Sequence, residues 1–331
     1  MSKKIAIIGA GIAGVSVARL LGNVADTTLF DKGRGIAGRM STRRADPYCF
    51  DHGAQYFTAR TFDFQNFIQL SIDAGLIKRW DARYVLFDKD TIVSRKNWIL
   101  GEPRYVGVPG MNCLVKHLSE GLSINTKTRI TSLNRQKGFW DLLDDQGNTH
   151  KGYDWVITTV PSPQAAELLT PSFCHYEGMR KVQMRPCFSL MLGFSEKFAF
   201  EFDAAHVVNA DVSWIAVNSS KPGRSSLQTL VVHSSEGYAE EHLKAAPDAV
   251  IRFLCAETSR IIGRDVSGAD FKALHAWHFA NSDKHVSLPV FLDHDLKLAA
   301  CGDWCQGGRV EGAFTSATKL VDEIRKYFKE G

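Results

Sequence analysis

Residues 3–21, KKIAIIGAGIAGVSVARLL, run from an apolar segment through three spaced glycines into a second apolar segment. The first part predicts a short buried strand over Ile5–Ile8, and Ile12–Leu21 has the texture of a helix. Between them Gly9, Gly11 and Gly14 stand in G-x-G-x-x-G spacing. Only this strand–turn–helix order gives the spacing meaning. The glycines close the turn, admit a pyrophosphate to the backbone and let helix and strand pack closely. The helix N-terminus adds partial positive charge for the phosphates. Ile12 and Ala13, inside the motif, join the three glycines as cofactor-binding candidates. A second short strand, TTLFDKG (27–33), ends at Asp31, 22 residues beyond Gly9, where a carboxylate can accept hydrogen bonds from an adenosine ribose. This motif does not choose between NAD and FAD.

The choice comes from two other stretches. DKGRGIAGRMS (31–41) sets Gly35, Gly38 and Arg39 straight after the ribose-binding acid. A longer cofactor has use for a second glycine-rich basic loop, and Arg39 can meet phosphate charge. LAACGDWCQGGRVEGAFTSA (298–317) then delivers Gly302 and Asp303 from a buried strand, and Gly312 and Ala313 open a helix ten residues on. A carboxylate there can bind ribityl hydroxyls, and a helix start can stabilise negative charge on a reduced flavin. FAD is therefore expected.

Composition sets the outer limits. The 331 residues are 44% hydrophobic, enough for two domains. Lys and Arg number 40 against 36 Asp and Glu, a mild excess with no basic block, so nucleic acid is not an expected partner. The N-terminal apolar run is too short and too glycine-rich to span a membrane and has no cleavage-site pattern. A soluble, cytoplasmic protein is expected, a monomer or weak dimer. Seven scattered cysteines read as reduced thiols, and none sits in a metal-ligand pattern.

Along the chain, TRITSLNRQKGFWDLLDDQGNTHKGYDWVITTV (128–160) predicts a β-meander, and CFSLMLGF, VSWIAVN and LQTLVVHSS predict longer strands. A mixed α/β fold follows. A Rossmann-like FAD-binding domain is expected over 1–60, 100–170 and 286–331, with an inserted mixed-sheet substrate domain over 61–99 and 171–285.

IAIIGAGIAG, DKGRGIAGRMS and CGDWCQGGRVEGAFTSA resemble the flavin amine oxidase superfamily. FDHGAQYFTAR, SWIAVNSSKPGR, LVVHSS and HAWHFA resemble, more narrowly, its bacterial renalase-like members, over nearly the whole chain. The resemblance implies a fold like p-hydroxybenzoate hydroxylase and an oxidase that passes electrons from substrate to O2. It gives FAD roles to Gly9, Gly11, Gly14, Asp31, Lys32, Arg39, Asp303 and Ala313. By the same resemblance Ile130 supplies the strand position whose backbone meets adenine. Met40, Gly53, Ala54 and Gln55 are counted with that set. The sequence lacks an SGGCYT segment, so non-covalent FAD is expected, and Trp304 stands where a cage tyrosine would be.

The renalase-like resemblance further implies oxidation of 2- and 6-dihydro isomers of NAD(P)H to NAD(P)+ by hydride transfer to flavin N5, with H2O2 formed from O2. Such a donor needs positioning more than a strong base. Gln55, Tyr56, Trp214, His233 and Trp277 are the candidate catalytic residues. Asn218, Lys221, Arg224 and His278 are candidate substrate contacts, with Lys221 and Arg224 reaching substrate phosphates. Three alternatives remain open: an amine or polyene oxidase of the same superfamily, a flavoprotein that senses redox state or binds a partner, and a plain NAD-dependent dehydrogenase.

Overall fold

A computed structural model of the chain describes residues 2–282 and 290–330. The chain divides into two compact units. The first comprises Met1–Arg39, Val115–Met184 and Asn281–Gly331, and the second Met40–Leu114 and Arg185–Ala280.

The first unit is built on a six-stranded sheet in the order Phe291–Asp293, Leu298–Ala300, Trp155–Thr158, Lys3–Ile8, Ala25–Phe30, Ser123–Asn125. Only the Phe291–Asp293 edge strand is antiparallel to its neighbour. Central parallel strands are covered on both faces, which is why Ile5–Ile8 and Trp155–Thr158 are buried throughout. Trp155 lies opposite Ile5 in register and packs against Tyr327 and Phe328. The Val310–Glu330 helix therefore covers the Ile5 face, and Arg325 ties it to the Leu20 carbonyl at the end of the Ile12–Leu21 helix. The other face packs Ala6, Ile8, Phe30 and Val156 against Ile130, Trp140 and Leu142 of an antiparallel meander. That meander, Ile130–Gln136, Phe139–Asp144 and Thr149–Tyr153, is shorter than the expected 128–160, because the last strand of that stretch, Trp155–Thr158, pairs in parallel with Lys3–Ile8 and Leu298–Ala300 instead.

The second unit carries a mixed seven-stranded sheet in the order Phe271–Ser282, Met184–Phe194, Gln228–Ser234, Val212–Val217, Ala204–Val208, Arg83–Asp88, Thr91–Asn97. Leu190, Leu192, Leu230, Val232 and Ile215 face the Pro247–Ile262 helix through Val250, Leu254 and Ile261. Alternation sends Met191 and Val231 to the opposite face, where Tyr48 and Phe50 pack. Tyr84, Trp214 and His233 share that opposite face, by register with Ala204, His206 and Val231's strand.

The boundaries differ from those expected. Residues 40–60 and 100–114 group with the second unit, because Tyr48 and Phe50 are held by Met191 and Val231 and the Tyr105–Gly107 strand pairs with Ile77–Arg79. Residues 171–184 group with the first, where Phe173, Met179 and Val182 join its core. The expected boundary between 285 and 286 lies outside the described residues. No helix among the described residues is long and apolar enough to cross a membrane, and the seven cysteines are unpaired.

Candidate functional site

In the first unit the glycine turn is built by two backbone necessities. Gly9 has φ +108°, a conformation that costs a side chain dearly. A Cβ on Gly14 would collide with the Gly9 carbonyl oxygen, so the helix can approach the strand only with glycine there. Thr159, which the sequence reading did not single out, holds the turn from the side by donating to the Gly9 carbonyl at 3.0 Å. Gly11 is the N-cap of the Ile12–Leu21 helix, with no side-chain cap, and beyond its chain neighbours no atom of the described residues lies within 4 Å of where a Cβ would stand. Open space beside uncapped helix N–H groups fits a pyrophosphate. Ile12 and Ala13 are buried in the first turn.

Asp31 sits at the strand end as expected. Its carboxylate accepts from Ala10 N at 2.8 Å and Gly33 N at 2.7 Å, which fixes it against the glycine turn. Lys32 is exposed, and partial burial of its ammonium, with Arg129 nearby, lowers its pKa. The second glycine loop docks on the first through Ala37 N to Ala10 O at 2.9 Å. Arg39 and Asp303 meet in a bidentate ion pair at 2.9 and 2.5 Å. Ile130 is buried at the head of its strand. The C-terminal helix starts at Val310, earlier than the expected Gly312–Ala313. Ala313 N already donates to Arg309 O at 3.0 Å, so its N–H belongs to the helical ladder and is not one of the end groups a flavin could use.

The remaining candidates lie in the second unit, Met40, Gly53 and Ala54 included. Asp51, at the end of the Tyr48–Asp51 strand, is wholly buried and carries a network that the sequence reading missed. Its Oδ1 accepts from Thr42 Oγ1 at 2.8 Å and Met111 N at 3.0 Å. Its Oδ2 accepts from Arg224 Nη2 at 2.5 Å and Nε at 3.2 Å and from Lys221 Nζ at 3.3 Å. Burial alone would raise the Asp51 pKa, but the Lys221 and Arg224 cations outweigh it and hold it at about 2. Burial lowers Lys221 to about 8, with Asp51 pulling the other way.

These contacts correct two expectations. Lys221 and Arg224 are not cations at a solvated turn free to reach substrate phosphates; their side chains are 0% and 2% exposed and spent on Asp51. Arg224 also donates to the Gly107 and Pro222 carbonyls. Asn218 is likewise a latch rather than a substrate contact. Its Oδ1 accepts from Asp51 N at 3.3 Å and its Nδ2 donates to Cys49 O at 3.0 Å, with the side chain fully buried.

Gln55 and His233 are brought together, Gln55 Nε2 lying 3.3 Å from His233 Nε2. Burial, then Lys221 and His52, lower His233 to about 4. Trp277 donates to the His52 carbonyl at 2.8 Å and stacks on the His52 ring, whose pKa burial and His275 lower to about 4. His278, one residue on, falls on the other face of its strand and is exposed, so it does not join this group.

Tyr56 leads a separate aromatic group. Its ring lies 5.1 Å from Trp98 and 5.8 Å from Trp214, Tyr84 stacks on Trp98 at 5.3 Å, and Trp80 meets Trp98 edge-on. Arg104 sets its guanidinium 4.2 Å from the Trp98 ring and 5.7 Å from Tyr56. Arg104 Nε and Trp214 Nε1 are buried without a hydrogen-bond partner among the described residues. Trp80, Tyr84, Trp98 and Arg104 were not anticipated, because aromatic residues in strand-like sequence read as core. No cluster of metal-ligating side chains exists among the described residues.

Residues 62–325 match the family described as flavin containing amine oxidoreductase, and residues 7–69 match an NAD(P)-binding Rossmann-like domain. The chain belongs to the flavin containing amine oxidoreductase family. This amine oxidoreductase family member uses FAD as its cofactor, and its mixed α/β fold with a Rossmann-like domain is that of solved flavin oxidases. It is similar to a candidate protoporphyrinogen oxidase from Exiguobacterium sp. 255-15, at 14% identity and a TM-score of 0.78 over 98% of this chain and 99% of that one. It is similar to cyclohexylamine oxidase from Brevibacterium oxydans IH-35A, at 12% identity and a TM-score of 0.75 over 99% and 100%. Putrescine oxidase bound to putrescine aligns at 10% identity and a TM-score of 0.71 over 98% and 99%.

Proposed function

We propose that this flavoprotein is an oxidase for misreduced dihydronicotinamide dinucleotides, the 2- and 6-dihydro isomers of NAD(P)H. Dihydro-NAD(P), O2 and a proton would give NAD(P)+ and H2O2. Bound FAD supplies the acceptor for the hydride and hands its electrons to O2. In this reading the first unit holds the cofactor. Gly9, Gly11, Gly14, Ile12 and Ala13 surround its pyrophosphate, Asp31 takes a ribose, and the Arg39–Asp303 pair fixes the loops that line it.

The observation that carries the substrate class is Arg104 in the aromatic group. A guanidinium already lies over Trp98 beside Tyr56 and Trp214. It occupies the cation–π position that a substrate ammonium would need. It repels an amine and attracts a phosphate-bearing substrate with a flat ring. Binding energy from the distant phosphates can then orient the reacting ring.

Stopped-flow flavin reduction by each isomer, by ordinary NADH and by a panel of primary amines tests this. The isomers should bleach the flavin fast, and the amines should not. Arg104→Gln should weaken isomer binding by roughly 10-fold, the value of one charged contact. Fast reduction by a primary amine with none by any isomer would overturn the proposal in favour of an amine oxidase.

A further inference from the structure

We propose that Arg60 is a positioning residue that keeps Arg104 open to an anionic ligand, by occupying the Glu102 carboxylate that would otherwise take the Arg104 guanidinium. The proposal deepens the reading above and rests on it for the phosphate-bearing ligand. Its deciding test reads a proton on the chain itself and needs no substrate, so either can fail alone.

Backbone hydrogen bonds join the two segments concerned. Phe57 N donates to Tyr105 O at 2.9 Å, and Tyr105 N to Phe57 O at 2.7 Å. Tyr56 and Arg104 stand beside this bridge, and Arg60 and Glu102 lie three residues out along the two segments. Arg60 donates from Nε to Glu102 Oε1 at 2.5 Å and from Nη2 to Oε2 at 2.9 Å. Both carboxylate oxygens thus meet one guanidinium as a fork.

Arg104 is the nearer cation along the chain. Its Nη1 donates to the Glu102 backbone carbonyl at 3.1 Å, so the carboxylate of the same residue is within a side chain's reach of the guanidinium. Yet among the described residues no carboxylate pairs with Arg104. Its guanidinium lies over the Trp98 ring at 4.2 Å instead, with Tyr56 alongside. Arginine is always charged, and a carboxylate two residues away is a strong local attractor. The Arg60 fork holds that carboxylate elsewhere. A phosphate then meets a cation that it does not have to win from an internal acid. The Arg60 and Glu102 side chains are 47% and 38% exposed, so removing their pair leaves the fold intact.

The experiment is 1H–15N NMR of the FAD-loaded protein, read at the arginine Nε–H groups, with Arg104 assigned by its loss in Arg104→Gln. In wild type the ring current of Trp98 should set the Arg104 signal upfield of the ordinary arginine position. In Arg60→Gln the freed Glu102 takes the guanidinium, and the signal should return to that position. Glu102→Gln breaks the same ion pair but leaves no competitor, so Arg104 should keep its wild-type signal. The double variant should keep it too. Titration with NAD+ should follow the same order, with Kd raised roughly 10-fold in Arg60→Gln and restored in the double variant. Wild type that binds no NAD+ would overturn the reading above and leave the NMR order to decide this one. An Arg104 signal at the ordinary position in wild type, or one unmoved by Arg60→Gln, would overturn the proposal. So would a double variant as altered as Arg60→Gln, which would make Arg60 a loop brace or an anion contact in its own right.

Discussion

Arg39 and Asp303 stand 264 residues apart and close on each other as a bidentate pair, each Nη taking one carboxylate oxygen. The pair ties the second glycine loop to the segment after the Leu298–Ala300 strand, two stretches that the sequence reading assigned to FAD separately. Arg39→Met and Asp303→Asn should each weaken FAD binding by about 1–3 kcal/mol, roughly 5- to 150-fold in Kd. The double variant should lose less than the sum, since either change alone breaks the pair. Titration of apoprotein with FAD measures this. Wild-type affinity in Arg39→Met would reduce the pair to a loop staple.

Ala37 has φ +96° and is 1% exposed, so a Cβ is held where the backbone favours glycine. Its N–H to the Ala10 carbonyl keeps the two cofactor loops together and maintains that conformation. Ala37→Gly should raise stability by about 1 kcal/mol, and Ala37→Val should destabilise and cost FAD affinity. Urea melts of the three proteins decide it. A less stable glycine variant would show that the methyl group's packing outweighs the strain.

Acid should loosen the second unit before strong acid does. His52 and His233 titrate near 4 when folded and near 6.5 in an ordinary unfolded chain. Above pH 6.5 both are neutral in either state and contribute nothing. Between 6.5 and 4 the unfolded chain takes up protons that the folded chain refuses, so stability falls by up to about 1.4 kcal/mol per pH unit for each histidine. Asp51, depressed to about 2, adds its own loss only below the ordinary carboxylate range. Urea midpoints from pH 8 to 4 should show this slope, and His52→Gln should remove about one proton from it. A flat profile down to pH 4.5 would contradict the assignment.

FAD should leave the protein intact on acid precipitation. Covalent attachment through sulfur requires a thiolate. Cys305, the cysteine next to Asp303 and Trp304, is 2% exposed, and burial pushes its thiol up to about 12. Yellow colour that stays on the washed precipitate would refute this.

The local features were the readable ones. G-x-G-x-x-G between a strand and a helix, Asp31 at the next strand end, and the first two strands of the meander each lie within a few residues of their cause, whereas Trp155–Thr158 leaves the meander for partners at Lys3–Ile8 and Leu298–Ala300. What failed depends on partners far along the chain. NSSKPGR has the composition of a solvated turn, yet Asp51, 170 and 173 residues away, draws Lys221 and Arg224 into the interior. The start of the C-terminal helix was misplaced because Gly312 reads as an opening while Arg309 supplies the first helical carbonyl. Trp98 and Tyr84 carry no motif and become meaningful only when the register sets Tyr84 and Trp214 on one face. Arg104 gave no signal that short-range reading could find.

The buried triad also constrains how the chain can diverge. Asp51, Lys221 and Arg224 share one carboxylate in a site without solvent, so losing the acid strands two cations at about 3–5 kcal/mol. A lineage therefore cannot drift through these positions one at a time. Homologues should keep the three together or replace them together with an apolar set, and position 51 should covary with 221 and 224 more strongly than with its own neighbours in sequence.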